Sequence, residues 1–250
     1  MLVKRLAVLG LLPVMPALAY AAGSRTITAD IPANGLNTLA ISAGVGELRV
    51  TPSNDDLVHV SVRLEQKSRE FLWFFHWQSN TTTREIQSAQ LVQQRSGERL
   101  DLSLGSSSKL DTNQVKQHWT LQIPARLALA LNMKVGQVTV QGVAGGVNVN
   151  LNVGEIDLDT PRGALNARVN VGQISATSAS RRLGPIDLSS DIGEAAVFMN
   201  GKAVRGGGRH SGLGRTIHLT GSGPDTMKLS VNVGEVDLRL DSPLPSKTQP

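Results

Sequence analysis

The chain has 250 residues, 40% hydrophobic and 18% charged, with a formal net charge of +5, 25 Gly, 11 Pro and no Cys. That length fits one large or two small domains, and the apolar fraction excludes wholesale disorder. Zero Cys excludes a disulfide scaffold, cysteine zinc sites, iron–sulfur clusters and cysteine nucleophiles. It leaves a high Gly content beside only 3% aromatics to be explained.

Residues 1–22 read MLVKRLAVLGLLPVMPALAYAA. Lys4 and Arg5 form a positive start, Leu6 to Leu18 a short apolar run broken by Pro13 and Pro16, and Ala17-Leu18-Ala19 and Ala19-Tyr20-Ala21 are small-x-small cleavage patterns. These are the marks of a secretory signal peptide. The run is too short and too broken for a membrane anchor, which needs about 20 apolar residues. Cleavage removes two cations and no acid, so the formal charge falls from +5 to +3. So mild a charge gives no argument for nucleic acid. The expectation is an exported protein of the periplasm or cell surface, with no transmembrane span after cleavage.

Residues 23–125 read as an N-terminal β region. Thr26 to Ile31, Leu39 to Ser42 and Leu57 to Leu64 are strand-like, and Leu100, Leu102 and Leu104 alternate with polar residues, as do Trp119, Leu121 and Ile123. An insertion at 65–99 interrupts them. It carries Phe71-Leu72-Trp73-Phe74-Phe75-His76-Trp77, five of the eight aromatics in the chain. As a strand it would line Phe71, Trp73, Phe75 and Trp77 along one face. That face is either a hydrophobic cap over an open end of the fold or an exposed contact surface for a membrane, a sugar or a partner. These four residues are the candidate binding site. No segment shows a capped 3.6-residue period, so an almost wholly β protein is expected.

Residues 126–240 contain a repeat of Val-Gly-Glu/Gln followed by alternating apolar residues. It occurs at Val135-Gly136-Gln137, Val153-Gly154-Glu155, Val171-Gly172-Gln173, Ile192-Gly193-Glu194 and Val233-Gly234-Glu235, with an earlier copy at Val45-Gly46-Glu47. Leu213-Gly214-Arg215 resembles a degenerate copy. The glycines from 136 to 234 are 18, 18, 21, 21 and 20 residues apart. Val147, Val149, Leu151 and Val153 alternate before Gly154, and Ile156 and Leu158 after it. The apolar parity switches at the glycine, so one register step turns the chain and keeps both sets inward. Two strands in each unit of this length predict an all-β stacked β-solenoid or β-roll; the alternative is an antiparallel sandwich or meander. Thin layers of that kind hold small and branched aliphatics, which accounts for the few rings. Asn152, Asn170, Asp191 and Asn232 each stand two residues before a glycine. They could expose a polar binding strip, but a ladder that satisfies turn backbone groups is the expected role. The tail, 241–250, should be disordered.

Signals of chemistry are sparse. His59, His76, His118, His210 and His218 form no metal-binding spacing. Asp157 with Asp159, and Glu235 with Asp237, are paired carboxylates that a solvated strand face explains. Gly-rich, basic Arg205 to Arg215 lacks the phosphate-loop pattern and reads as a flexible loop, and Asn80-Thr81-Thr82 fits a short glycosylation pattern. No metal, cofactor or catalytic residue is expected.

Gly-Glu/Gln-Val/Ile-x-Leu/Val turns following Ile123-Pro124 resemble the bacterial putative-adhesin domain family, over roughly residues 36–240 and most strongly over 119–240. The resemblance implies an exported, solenoid-like envelope protein and supplies no catalytic residues. The expected function is a non-enzymatic binding or structural module whose partner is an envelope component, a glycan or another protein, and not nucleic acid. The alternative is a polysaccharide-active β-helix enzyme.

Overall fold

The computed structural model describes residues 24–66, 80–105, 115–160, 162–204 and 208–241. The leader at 1–22 and the aromatic residues Phe71, Trp73, Phe75 and Trp77 lie outside them, as does the tail from residue 242. The described residues are all-β apart from one helix, and fifteen strands join a single mixed sheet. The N-terminal part supplies β1 (Ser24–Pro32), β2 (Thr38–Pro52), β3 (Leu57–Gln66), helix α1 (Asn80–Ser88), β4 (Gln90–Ser96), β5 (Arg99–Gly105) and β6 (Val115–Ile123). Three long strands follow: β7 (Ala128–Gln141), β8 (Val147–Thr160) and β9 (Leu165–Ser178). Then come β10 (Leu183–Ile192), β11 (Ala195–Met199), β12 (Lys202–Ala203), β13 (Gly208–Ser211), β14 (Gly214–Leu219) and the long β15 (Asp225–Leu240).

The long strands are bent, and chain length alone requires it. β7 and β8 run parallel and in register, Leu129 beside Val147 and Val140 beside Leu158. A straight strand of 14 residues would be about 46 Å long. The five residues 142–146 that carry the chain back to the start of β8 reach at most about 18 Å. Each long strand therefore folds into two legs. In β8 the buried residues are Val147, Val149 and Leu151 on the first leg and Ile156, Leu158 and Thr160 on the second. Both sets enter one continuous core, which the same positions of β7, β9 and β15 extend.

The bend sits at the glycine, and two constraints keep it there. Gly154 has φ +136°, a region that only glycine occupies without strain. A Cβ on Gly154 would also lie 1.8 Å from the carbonyl oxygen of Gly136, and one on Gly172 would lie 1.8 Å from that of Gly154. The glycines form a column in which each backbone closes on the next.

Order along the column differs from order along the chain. The spatial sequence is Gly46, Gly136, Gly154, Gly172, Gly234, Gly193. β15 lies between β9 and the β10–β11 pair, parallel to both. Its start is pinned by buried Asp225, which accepts a 2.6 Å hydrogen bond from Ser180 Oγ and faces Arg182 at 3.6 Å. Beyond β2, the two legs of the next layer come from separate strands, β5 beside the first leg and β6 beside the second. Antiparallel strands close both ends: β4 on β5, β3 and β1 on β6, β14 and β13 on β10, and β12 on β11.

Four sequence expectations are corrected. Residues 80–88 form a helix, which buries Ile86 fully in the core. Gly214 belongs to a strand antiparallel to β10, and the one-residue shift of Ile217 and Leu219 suits that pairing. Gly208–Ser211 is the strand paired with it, so this part of the expected flexible loop is half of a hairpin. Val135, Val153, Val171 and Val233 do not point inward; they are 38–43% exposed, because the apex of a bend has no interior. Large rings are scarce but not excluded: Trp119 is fully buried and donates from Nε1 to Gln117 Oε1 at 3.1 Å.

Gly154→Ala is expected to cost at least about 3 kcal/mol, since strain and backbone overlap act together. Urea unfolding followed by circular dichroism measures it. Ending the chain at Gly223 removes β15 and bares the parallel edges of β9 and β10. Such a chain should aggregate and show no cooperative melting transition in calorimetry.

Candidate functional site

Inward positions of the bent strands are aliphatic except at their ends, where Thr160, Ser178 and Asp225 are buried, so the remaining polar side chains lie on the outward faces. On the first leg, period-two alternation puts two rows of polar side chains outward. One row, four residues before the glycine, is Ser42, Asn132, Asn150, Arg168 and Ser230, adjacent in that order through the strand register. The other, two residues before the glycine, includes Lys134, Asn152, Asn170 and Asn232. Between the rows the sheet backbone at Ala43, Met133, Leu151 and Val169 forms the floor of an open groove of about 580 Å³. The groove crosses the strands and runs along the stack.

Amide ladders build its walls. Asn170 Nδ2 donates to Asn152 Oδ1 at 3.3 Å, and Asn232 Nδ2 donates to Asn170 Oδ1 at 2.7 Å. Asn150 Nδ2 donates to Asn132 Oδ1 at 3.1 Å. Three of the four residues expected in a corner ladder therefore form one; Asp191 is not hydrogen-bonded into it. The role differs from the expected one, because the amides bond to each other and not to turn backbone groups. Arg168 and Lys134 were not anticipated. Both are exposed on opposite walls, and neither forms an ion pair with another described residue. Among the described residues no carboxylate or imidazole lines the groove. One residue further along each strand, Val135, Val153, Val171 and Val233 make an exposed aliphatic ladder, continued by Ile192 at 49% exposure.

The second leg is acidic on its outward face. Glu155, Asp157 and Asp159 lie there on β8, and Glu235 and Asp237 on β15. Each carboxylate pair shares the outward face of its own strand, but the two pairs are not brought together: Asp157 and Asp237 flank Ser175 on opposite sides. Asp157 accepts a 3.2 Å hydrogen bond from Gln137, and Asp237 meets Arg239 at 4.0 Å. Near the bend Glu47 accepts a 2.8 Å hydrogen bond from Lys116. That bond holds the Glu47 carboxyl below its ordinary pKa against an opposing desolvation, the reverse of what a general acid needs. Among the described residues no His, Asp or Glu cluster has metal-site geometry.

His59 joins β1 to β3. Its Nδ1 is 2.7 Å from Asp30 and its Nε2 3.0 Å from Asp55. Hydrogen bonding to Asp30, then to Asp55, raises the imidazole pKa above its ordinary 6.5. Against desolvation, the Leu57 amide and His59 lower that of Asp55. His118 sits 3.4 Å from both Glu47 and Glu65, and His218 is 2.5 Å from Asp187. His76 lies outside the described residues.

No family model matches the chain, and no curated protein matches it either. Solved structures do. One, described as a putative cell adhesion protein from Clostridium sporogenes, superposes with a TM-score of 0.53 at 13% identity, over 87% of this chain and 100% of its own. A putative adhesin from Bacteroides fragilis (14% identity, 87% of this chain and 97% of its own) and a putative lipid binding protein from Parabacteroides distasonis (8%, 89% and 98%) give TM-scores of 0.29 and 0.28. Those two superpose too loosely to bear on this chain. The first establishes a shared all-β fold. Among the described residues no helix is long and apolar enough to cross a membrane.

Two outcomes are expected from these contacts. Asn170→Ala removes two ladder bonds at an exposed position and should cost about 1 kcal/mol in urea unfolding. The His59 contribution is present while the imidazole is protonated in both folded and unfolded chains, below about pH 6.5, and is lost as pH rises through the raised folded value. His59→Gln should therefore lower the melting temperature at about pH 5.5 and leave it unchanged at about pH 9.

Proposed function

We propose that the bent strands form a two-legged β-solenoid, and that the protein is an exported, non-enzymatic binding or structural module of the cell envelope, akin to the bacterial putative-adhesin domain. The observation that carries this reading is the first-leg groove. It is a long, regular surface of hydrogen-bonding side chains in which, among the described residues, two cations have no ion-pair partner and no acid–base pair occurs. A polysaccharide-active enzyme needs a proton donor and a base converging on one bond. Here the described side chains that line the groove include no carboxylate, and Glu47 on the second leg is held ionised by Lys116. The cell-adhesion description of the Clostridium sporogenes protein accords with a binding role. The leader-like residues 1–22 support export.

The test is expression of the full chain in a bacterium, with fractionation and mass spectrometry of the mature N-terminus. A chain cleaved near residue 22 and recovered with the envelope is expected; an uncleaved cytoplasmic chain would overturn the reading. Trp73→Ala with Trp77→Ala should reduce envelope recovery if the aromatic segment is a contact surface, and leave it unchanged if it only packs.

A further inference from the structure

We propose that the groove across the first leg binds an extended acidic polysaccharide, one that carries both hydroxyl and carboxylate groups. The inference rests on the reading of this face as a binding surface, and not on export. Direction is the first argument. The groove runs across the strands, so its ligand extends along the stack and meets an equivalent set of side chains every 4.8 Å or so. The floor is sheet backbone whose hydrogen-bonding groups are engaged in parallel pairing on both sides. A peptide cannot add to it as a strand, and recognition falls to the side chains.

Hydrogen-bonding capacity is the second argument. A side-chain amide has two N–H donors and an oxygen with two lone pairs. Asn170 spends one donor on Asn152 and one lone pair on the N–H of Asn232. A donor and an acceptor remain on Asn170, and Asn152 and Asn232 on either side keep free amide groups of their own. A hydroxyl group matches that pair because it also donates and accepts. A phosphodiester only accepts, and an aliphatic chain does neither, so each would leave amide groups unmatched.

Charge is the third argument. Lys134 on β7 and Arg168 on β9 face the groove from opposite walls, two layers apart, which is about 10 Å along the stack. A neutral glycan would leave both without a counter-ion. A carboxylate suits the guanidinium fork of Arg168 and the point charge of Lys134. The exposed ladder of Val135, Val153, Val171 and Val233 runs alongside and offers an apolar strip for the C–H faces of sugar rings.

Titration calorimetry of the full chain with an oligogalacturonate hexamer tests the proposal, with cellohexaose and poly-glutamate as comparison ligands. Binding of oligogalacturonate that weakens with added salt is expected, and binding of the other two should be much weaker. Lys134→Gln with Arg168→Gln should weaken it roughly tenfold. Asn170→Asp, which replaces a donor with a negative charge, should do the same or more. Melting curves check that each variant folds. No detectable binding by the native chain, or undiminished binding by both folded variants, overturns the proposal. Equal binding of poly-glutamate overturns the sugar, and equal binding of cellohexaose overturns the acid. Loss of sugar binding in a chain that still fractionates with the envelope counts against this inference alone. A cytoplasmic chain that still binds oligogalacturonate counts against export alone.

Discussion

Everything in this protein is organised by one contact, the approach of each corner glycine to the carbonyl of the glycine in the layer beside it. A Cβ at Gly136, Gly154, Gly172 or Gly234 would lie 1.8 Å from that oxygen. Layers can therefore approach to sheet spacing at the bend only if each corner lacks a side chain. Parallel pairing then continues through the bend, and Gly136, Gly154 and Gly172 are themselves register partners. The two legs close on a core too thin for many large rings, and outward rows fall into straight ladders. The Asn ladder, the Val ladder and the groove between the outward rows all follow from that register.

Much of this was legible from period and spacing. Alternation on either side of Val153-Gly154, and its recurrence at 18 residues, pointed to two strands per unit and a turn at the glycine. Three of the corner residues expected in a ladder, Asn152, Asn170 and Asn232, are hydrogen-bonded in one. What escaped has identifiable causes. The valine before each glycine alternates correctly with its predecessors, yet the bend begins before it and turns it outward; periodicity describes a straight strand and is silent at a corner. Helix α1 spans NTTTREIQS, in which three consecutive β-branched residues give little helical signal, and the burial of Ile86 supplies what propensity does not. Lys134 and Arg168 gave no motif at all. They are ordinary outward residues in one dimension and become opposite walls of a groove only when their layers are stacked.

The outward faces of the two legs differ in chemistry although the core treats them alike. The first leg carries amides and cations over the groove. The second carries Glu155, Asp157, Asp159, Glu235 and Asp237. Parity alone would permit any polar residue on either side. Across β7, β8, β9 and β15 this gives an acidic flank and an amide flank, with the exposed valine ladder at the apex between them.

The place of β15 has a consequence for how the molecule comes to exist. It follows every other described strand in sequence, yet it stands inside the stack, with β9 on one side and β10 and β11 on the other. Layers cannot be laid down in the order in which the ribosome makes them. Until residues 225–240 arrive, the segment from Leu183 to Leu219 has no parallel neighbour and must wait at a gap one layer wide. Completion is then a long-range event with a high closure cost, which slows folding. The chain carries its own delay, because a strand made after β10 and β11 has to enter between them and β9.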